Sequence, residues 1–318
     1  MAEQLSLFGE ENTLFNGAVQ RLLEMDFSGC LERLERYRKL FPWGREVRRE
    51  AAVAAFWRER LGGAVWERID SAEVERRYGL WLDFEKAFGC PWPEDKIEQQ
   101  FQVRYFLRLT ESLAASGEET PTSLPGGTPT GLLHLLAGRP SGAIPLLQGL
   151  IGAEPENARI YGYLGDAYVL RGDLPTARIC YREAFSLDPA GLDLRRLGDR
   201  ELLELVADQG QEDDLEPRAL AWLPVRAQLL GIFPRRLFRG LDELKAWVER
   251  YLDLIRAHRE HPTDAMVPRL FYCAMVLSDN APMLHFVSSV DLAEVRRLMK
   301  SLDPALFARH MRDLETRR

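Results

Sequence analysis

Apolar residues recur along this chain at steps of three and four. Val47, Ala51, Ala54 and Leu61 share one helix face, as do Ile97, Phe101, Leu109 and Leu113, and further on Leu241, Leu244, Val248, Tyr251 and Ile255. Such spacing lays an apolar stripe along an amphipathic helix. Alternating β-branched runs of useful length do not occur, so the expected fold class is all-α, without a sheet. Two stretches break the helical pattern and read as linkers: residues 117–130 (GEETPTSLPGGTPT), rich in Pro, Gly and Thr, and the acidic residues 208–217 (DQGQEDDLEP). They divide the chain into a flexible N-terminal peptide (1–12) and three helical blocks (13–116, 131–207 and 218–318). The last block holds an apolar helix around Leu270–Leu277 and a final helix opened by Asp303-Pro304, an acceptor followed by a proline suited to the first turn.

Within 131–207 the segment Ala158–Gly191 sets Tyr161, Leu164, Gly165 and Tyr168 on one helix, Gly172 at a turn, Ala177, Tyr181 and Ala184 on a second helix, and Pro189 at its end. A large ring and a small residue on the first helix face a small residue and a large ring on the second, so the pair interlocks. Stepping back by the 34 residues typical of such a unit places Gly138 under Gly172, Ala143 under Ala177, Leu147 under Tyr181 and Pro155 under Pro189. A third, sparser set runs from Leu14 to Pro42, with Ala18, Cys30 and Leu34; its Cys30-to-Pro42 gap equals that from Ala177 to Pro189.

These residues resemble the signature of the tetratricopeptide repeat family. The resemblance implies a solenoid of antiparallel helix hairpins with additional helical blocks, which holds a protein or peptide partner in a groove and carries no catalytic site. In that family the first helices of successive repeats line the groove, which implies Arg159, Asp166 and Val169 as partner contacts. Some members grip a C-terminal carboxylate with Lys and Asn on those helices. Gly162 and Asp166 stand at the comparable places here, and an aspartate repels a carboxylate, so that specificity is not expected.

At the N-terminus Gln4, Leu5, Ser6, Leu7 and Phe8 resemble the linear peptide with which many bacterial replication and repair proteins dock onto the DNA sliding clamp. A glutamine amide hydrogen-bonds both ways, and Leu5, Leu7 and Phe8 supply apolar anchors for a pocket. Packing of this segment against the first helix is the alternative. If it docks, the clamp supplies the contact with DNA.

Composition narrows the rest. At 46% hydrophobic and 29% charged the chain has the balance of a folded protein, and a net charge of −7 offers no overall positive field for nucleic acid. The basic run Pro234–Arg239 therefore reads as a solvated loop, and direct nucleic-acid binding is not expected. Cys30, Cys90, Cys180 and Cys273 are isolated from one another and from histidine at metal-ligand spacing; buried free thiols are expected, and no metal or cofactor. Neither a signal peptide nor an apolar stretch long enough for a membrane span is seen, so a cytoplasmic protein is expected. Phosphate-cradling, nucleophile-elbow and dinucleotide motifs are missing from the sequence. An enzymatic alternative would need a site assembled from dispersed residues of the last block, around His258, His261 and His285.

Overall fold

The computed structural model describes residues 2–89, 96–117, 119–208, 217–287 and 289–316. Among these residues there are α-helices, two short 3-10 turns and a single isolated bridge between Ser123 and Pro129, but no strand. The fold is an all-α, helical-repeat architecture. The chain forms two compact units, residues 1–146 and 147–318.

The first unit holds α1 (Ala2–Leu23), α2 (Phe27–Leu40), α3 (Arg48–Leu61), α4 (Ser71–Phe88), α5 (Lys96–Ala114), α6 (Thr130–Leu136) and the start of α7 (Pro140–Ala153). α1 and α2 pair as a hairpin, with Ala18, Cys30 and Leu34 all buried at its seam. Asp26 caps α2 by accepting from the Gly29 N–H at 2.9 Å. Since α1 starts at Ala2, the backbone of residues 2–12, expected as a flexible peptide, is helical here. The Ala, Leu, Gln and Glu of this segment favour a helix, and Gly9 works most strongly against it. The side chains of Gln4–Phe8 lie outside the described residues.

The core of this unit is aromatic. Trp57 lies 4.9 Å from Tyr105 and 5.9 Å from Trp81, ring centre to ring centre, and Trp81 lies 5.0 Å from Phe106. These rings come from α3 and α5, where apolar stripes were read, and from α4, where none was; burying such large rings is a major driving force for packing the three helices. Two of the polar atoms carried inward with the rings find partners, the Trp81 indole donating to Glu85 at 2.7 Å and the Tyr105 hydroxyl to the Arg77 carbonyl at 2.8 Å, whereas the Trp57 indole N–H has none among the described residues.

The second unit continues α7 and adds α8 (Ala158–Leu170), α9 (Leu174–Leu187), 3-10 turns at Pro189–Gly191 and Leu194–Arg196, α10 (Arg200–Ala207), α11 (Pro217–Ala221), α12 (Leu223–Leu229), α13 (Leu241–Glu260), α14 (Met266–Asp279), α15 (Ala281–Leu284), α16 (Leu292–Leu302) and α17 (Pro304–Thr316). α14 is buried around its whole girth from Leu270 to Asp279, with α12, α13 and α16 packed on it. That explains its unbroken apolar run, since a helix without a solvent face has no polar stripe. Asp303 accepts from the Leu306 N–H at 2.9 Å, so α17 is capped where the Asp-Pro pair predicts.

Candidate functional site

The α8–α9 hairpin is built as its sequence predicts. Asp173 caps α9 by accepting from the Thr176 N–H, and Gly172 turns the chain with φ +82°, a left-handed conformation that suits glycine. Tyr181 lies against Gly165 so closely that a β-carbon there would stand 2.5 Å from the ring. Leu164, Tyr168, Ala177, Tyr181 and Ala184 are buried, and Tyr161 is half-buried. The preceding hairpin keeps the register: Gly138 turns with φ +67°, and Ala143 and Leu147 are fully buried.

The face of α8 expected to line a groove is covered by the chain's own residues 189–198. Arg159, exposed, donates from Nε to the Gly191 carbonyl at 3.3 Å. Leu192 lies 3.2 Å from where a β-carbon on Gly162 would stand, and Gly198 approaches the side chain of Val169 as closely. The Gly198 N–H donates to Asp166 Oδ1 at 2.9 Å. Asp166 is therefore buried, with the Tyr181 hydroxyl donating to the same oxygen at 2.5 Å. Burial raises its carboxyl from 3.8 to about 7, against the opposing pull of those two hydrogen bonds. The far end of the strap is pinned where Arg178 donates to Asp199 at 2.7 Å.

With α8 enclosed, the exposed apolar groups of the hairpin are Leu170, Leu174 and Ile179, at the turn and on α9. Cys30, Cys180 and Cys273 are free, buried thiols, and Cys90 lies outside the described residues. Of the histidines, His258 lies in the last turn of α13, His261 caps it and His285 lies beside Phe286; no hydrogen bond or ion pair joins the three among the described residues. A different histidine is enclosed: His310, fully buried, stands 4.0 Å from Asp279. Burial lowers its imidazole to about 4, so it is neutral at physiological pH.

A second concave place escaped the sequence reading. Between the end of α9, α13 and α14 lies a cleft of about 610 Å³, and behind it a niche of about 20 Å³; Arg250 and Arg269 border both. Its residues come from four separated stretches and carry no spacing signature. The fixed arginines behind it are legible only in three dimensions: Arg182 and Arg236 both bond Glu183, while Arg236 and Arg250 lie over the Trp247 ring at 4.7 and 5.2 Å.

No curated protein and no solved structure matches the chain. The tetratricopeptide repeat family model matches residues 134–196, from the end of α6 through the second 3-10 turn, and supports that family for the segment in which the hairpin geometry is seen.

Proposed function

We propose that this chain is a non-enzymatic adaptor whose helical-repeat body holds a protein or peptide partner. The observation that carries this reading is the α8–α9 hairpin, with its interlocked Gly165 and Tyr181, inside a segment that matches a protein-interaction repeat. Of the groove candidates Arg159 is exposed and Val169 half-buried; Asp166 meets a partner only if residues 189–198 move aside. Ile179, 44% exposed on α9, is the apolar group best placed to report on a partner at the hairpin.

A second reading, favoured by the fit of Gln4–Phe8 to its pattern, docks the adaptor on the DNA sliding clamp. Docking would require the first turns of α1 to open. Gly9 lowers the cost, since a helix-interior glycine sacrifices about 1 kcal/mol relative to alanine.

One experiment with two arms tests both. A photoreactive residue at Ile179, activated in cells of the source organism, is expected to give one discrete adduct with another protein; a diffuse ladder matching that from a control position at Asp242 would sink the adaptor reading. Calorimetric titration of the clamp with the full chain is expected to give a Kd of about 1 μM, roughly −8 kcal/mol. That signal should disappear when residues 1–10 are removed or when Leu7→Ala and Phe8→Ala are combined. Binding that survives either change, or no binding by the full chain, would sink the clamp reading alone.

A further inference from the structure

The strap over α8 is seated as a bound segment would be. It runs along α8 in the helix's own direction, from Gly191 at Arg159, through Leu192 at Gly162, to Gly198 at Asp166 and Val169. At 1.5 Å per helical residue that is a path of about 15 Å. The side chains of α8 read its main chain: Arg159 donates to the Gly191 carbonyl, and Asp166 accepts from the Gly198 N–H. Two places select side chains. Gly162 leaves a notch against which Leu192 lies, and Val169 stands 3.2 Å from where a β-carbon on residue 198 would be, which suits the glycine found there.

The strap is fixed at its ends. Pro189–Gly191 packs on α8, α9 and α11, while Asp199 is held by Arg178 and caps α10. Between them Asp193 accepts from Arg195 and Arg196 at 3.2 and 2.9 Å, an ion-pair group that travels with the strap, and Leu192 and Leu194 are half-buried. The tie to Asp166 depends on a strained titration. Burial holds its carboxyl at about 7, with Asp193 adding to the rise and the Tyr181 hydroxyl, the Gly198 N–H and Arg196 opposing it. Lifting the strap returns the carboxyl to water and toward 3.8, so lifting becomes easier as pH rises from about 4 to 7 and no easier above.

We propose that residues 191–198 are a displaceable internal ligand, and that α8 binds in their place an extended partner segment with a leucine six residues before a glycine. The leucine seats on Gly162, the glycine N–H donates to Asp166, and Arg159 takes a carbonyl at the leading end. The inference rests on the adaptor reading and names a site, a partner chemistry and a restraint for it. Tethering gives the strap a high effective concentration, so in the resting chain it outcompetes a free segment of equal intrinsic affinity.

The probe is a fluorescein-labelled, amidated peptide of residues 189–198, Pro-Ala-Gly-Leu-Asp-Leu-Arg-Arg-Leu-Gly, added to the full chain. Two variants move the strap in opposite directions. Gly198→Pro deletes the N–H that Asp166 accepts, at a place where Leu197, with ψ 119°, suits a following proline. Val169→Cys combined with Gly198→Cys, in a Cys90→Ser background, locks the strap on oxidation. A β-carbon on residue 198 lies 3.3 Å from that of Val169, close to the ~3.5–4.5 Å span of a disulfide. By fluorescence anisotropy the peptide should bind Gly198→Pro about tenfold more tightly than the parent, and should bind the reduced cysteine pair but not the oxidised one. With Asp in place of its first Leu the peptide should bind none of them. Equal binding to the oxidised and reduced chains, or no gain in Gly198→Pro, overturns the site.

Amide exchange checks the lifting itself in the parent chain. The Gly198 N–H should be at least about tenfold less protected than the Leu164 N–H of α8. Between pH 4 and 7 it should lose up to about tenfold more protection per pH unit, a dependence missing from Asp166→Asn. Equal protection of the two amides overturns the displaceable strap. If Ile179 captures a partner while the lock leaves peptide binding unchanged, this inference is wrong and the adaptor reading stands. If Ile179 captures nothing, the adaptor reading goes, and the partner named here goes with it.

Discussion

Tyr181 is held at both ends, its ring against Gly165 and its hydroxyl on Asp166. It therefore has no room to yield. Gly165→Ala should destabilise the protein by about 1–3 kcal/mol through overpacking, even though alanine is the better helix former; a urea midpoint unchanged or raised would show that the ring moves freely. Asp166 brings a pH dependence of definite sign. Its folded pKa lies above the unfolded value, so between about pH 4 and pH 7 the folded chain keeps a proton that the unfolded chain has released. The stability it contributes is complete below that window and is lost as pH rises through about 7. Asp166→Asn keeps the accepting oxygen and abolishes the titration. Denaturation curves across the window should then lose a downward slope of up to about 1.4 kcal/mol per pH unit; an unaltered slope would mean that Asp166 stays ionised. Gly165 and Tyr181 were legible as a size-matched pair. The burial of Asp166 was not, because its second donor, Gly198, lies far along the chain in a segment with no periodic pattern.

Helix hairpins repeat a common turn. Gly138 and Gly172 take left-handed backbone at equivalent places, and in the α1–α2 hairpin the corresponding residue is Met25, with φ +62°. The caps correspond too, Asp26 to Asp173. A side chain in that conformation costs about 1–2 kcal/mol, partly offset by the extra freedom glycine gives the unfolded chain. Met25→Gly should therefore stabilise the protein by about 1 kcal/mol in chemical denaturation. A loss of stability would mean that the methionine's neighbours, among them Arg108, whose guanidinium lies 4.0 Å from the sulfur, contribute more than the strain removes. This hairpin was found from Ala18, Cys30 and Leu34 and from the Cys30-to-Pro42 spacing, since a methionine stands where a glycine would have marked the turn. The groove on α8 was anticipated from family likeness and is closed by local chain instead. Nothing in residues 189–198 signals which neighbour they will cover.

At the scale of the molecule, helix type and position followed from periodicity for α3, α5 and α13, because apolar stripes survive in the sequence whatever they pack against. Val53 on α3 joins the aromatic core, as do Val74 and Phe84 on α4, a helix the periodicity reading did not pick out. What periodicity does not encode is convergence. Tyr272, Arg250 and Arg269 meet because α13 and α14 fold back on each other, and Arg182 reaches the same place from α9. Their meeting is a property of the assembled surface that no single helix shows.

The strap over α8 also bears on how such a protein can change over evolutionary time. Repeat arrays lengthen by adding hairpins, each seated on the helical face left open by the one before. After Pro189, where a further hairpin would begin, this chain lays two 3-10 turns on that face and ties them down through Gly191 and Gly198. The array thus carries its own stop signal. A duplicated hairpin inserted after residue 198 would find its seat taken, so growth of the array from this hairpin would have to start upstream of the strap.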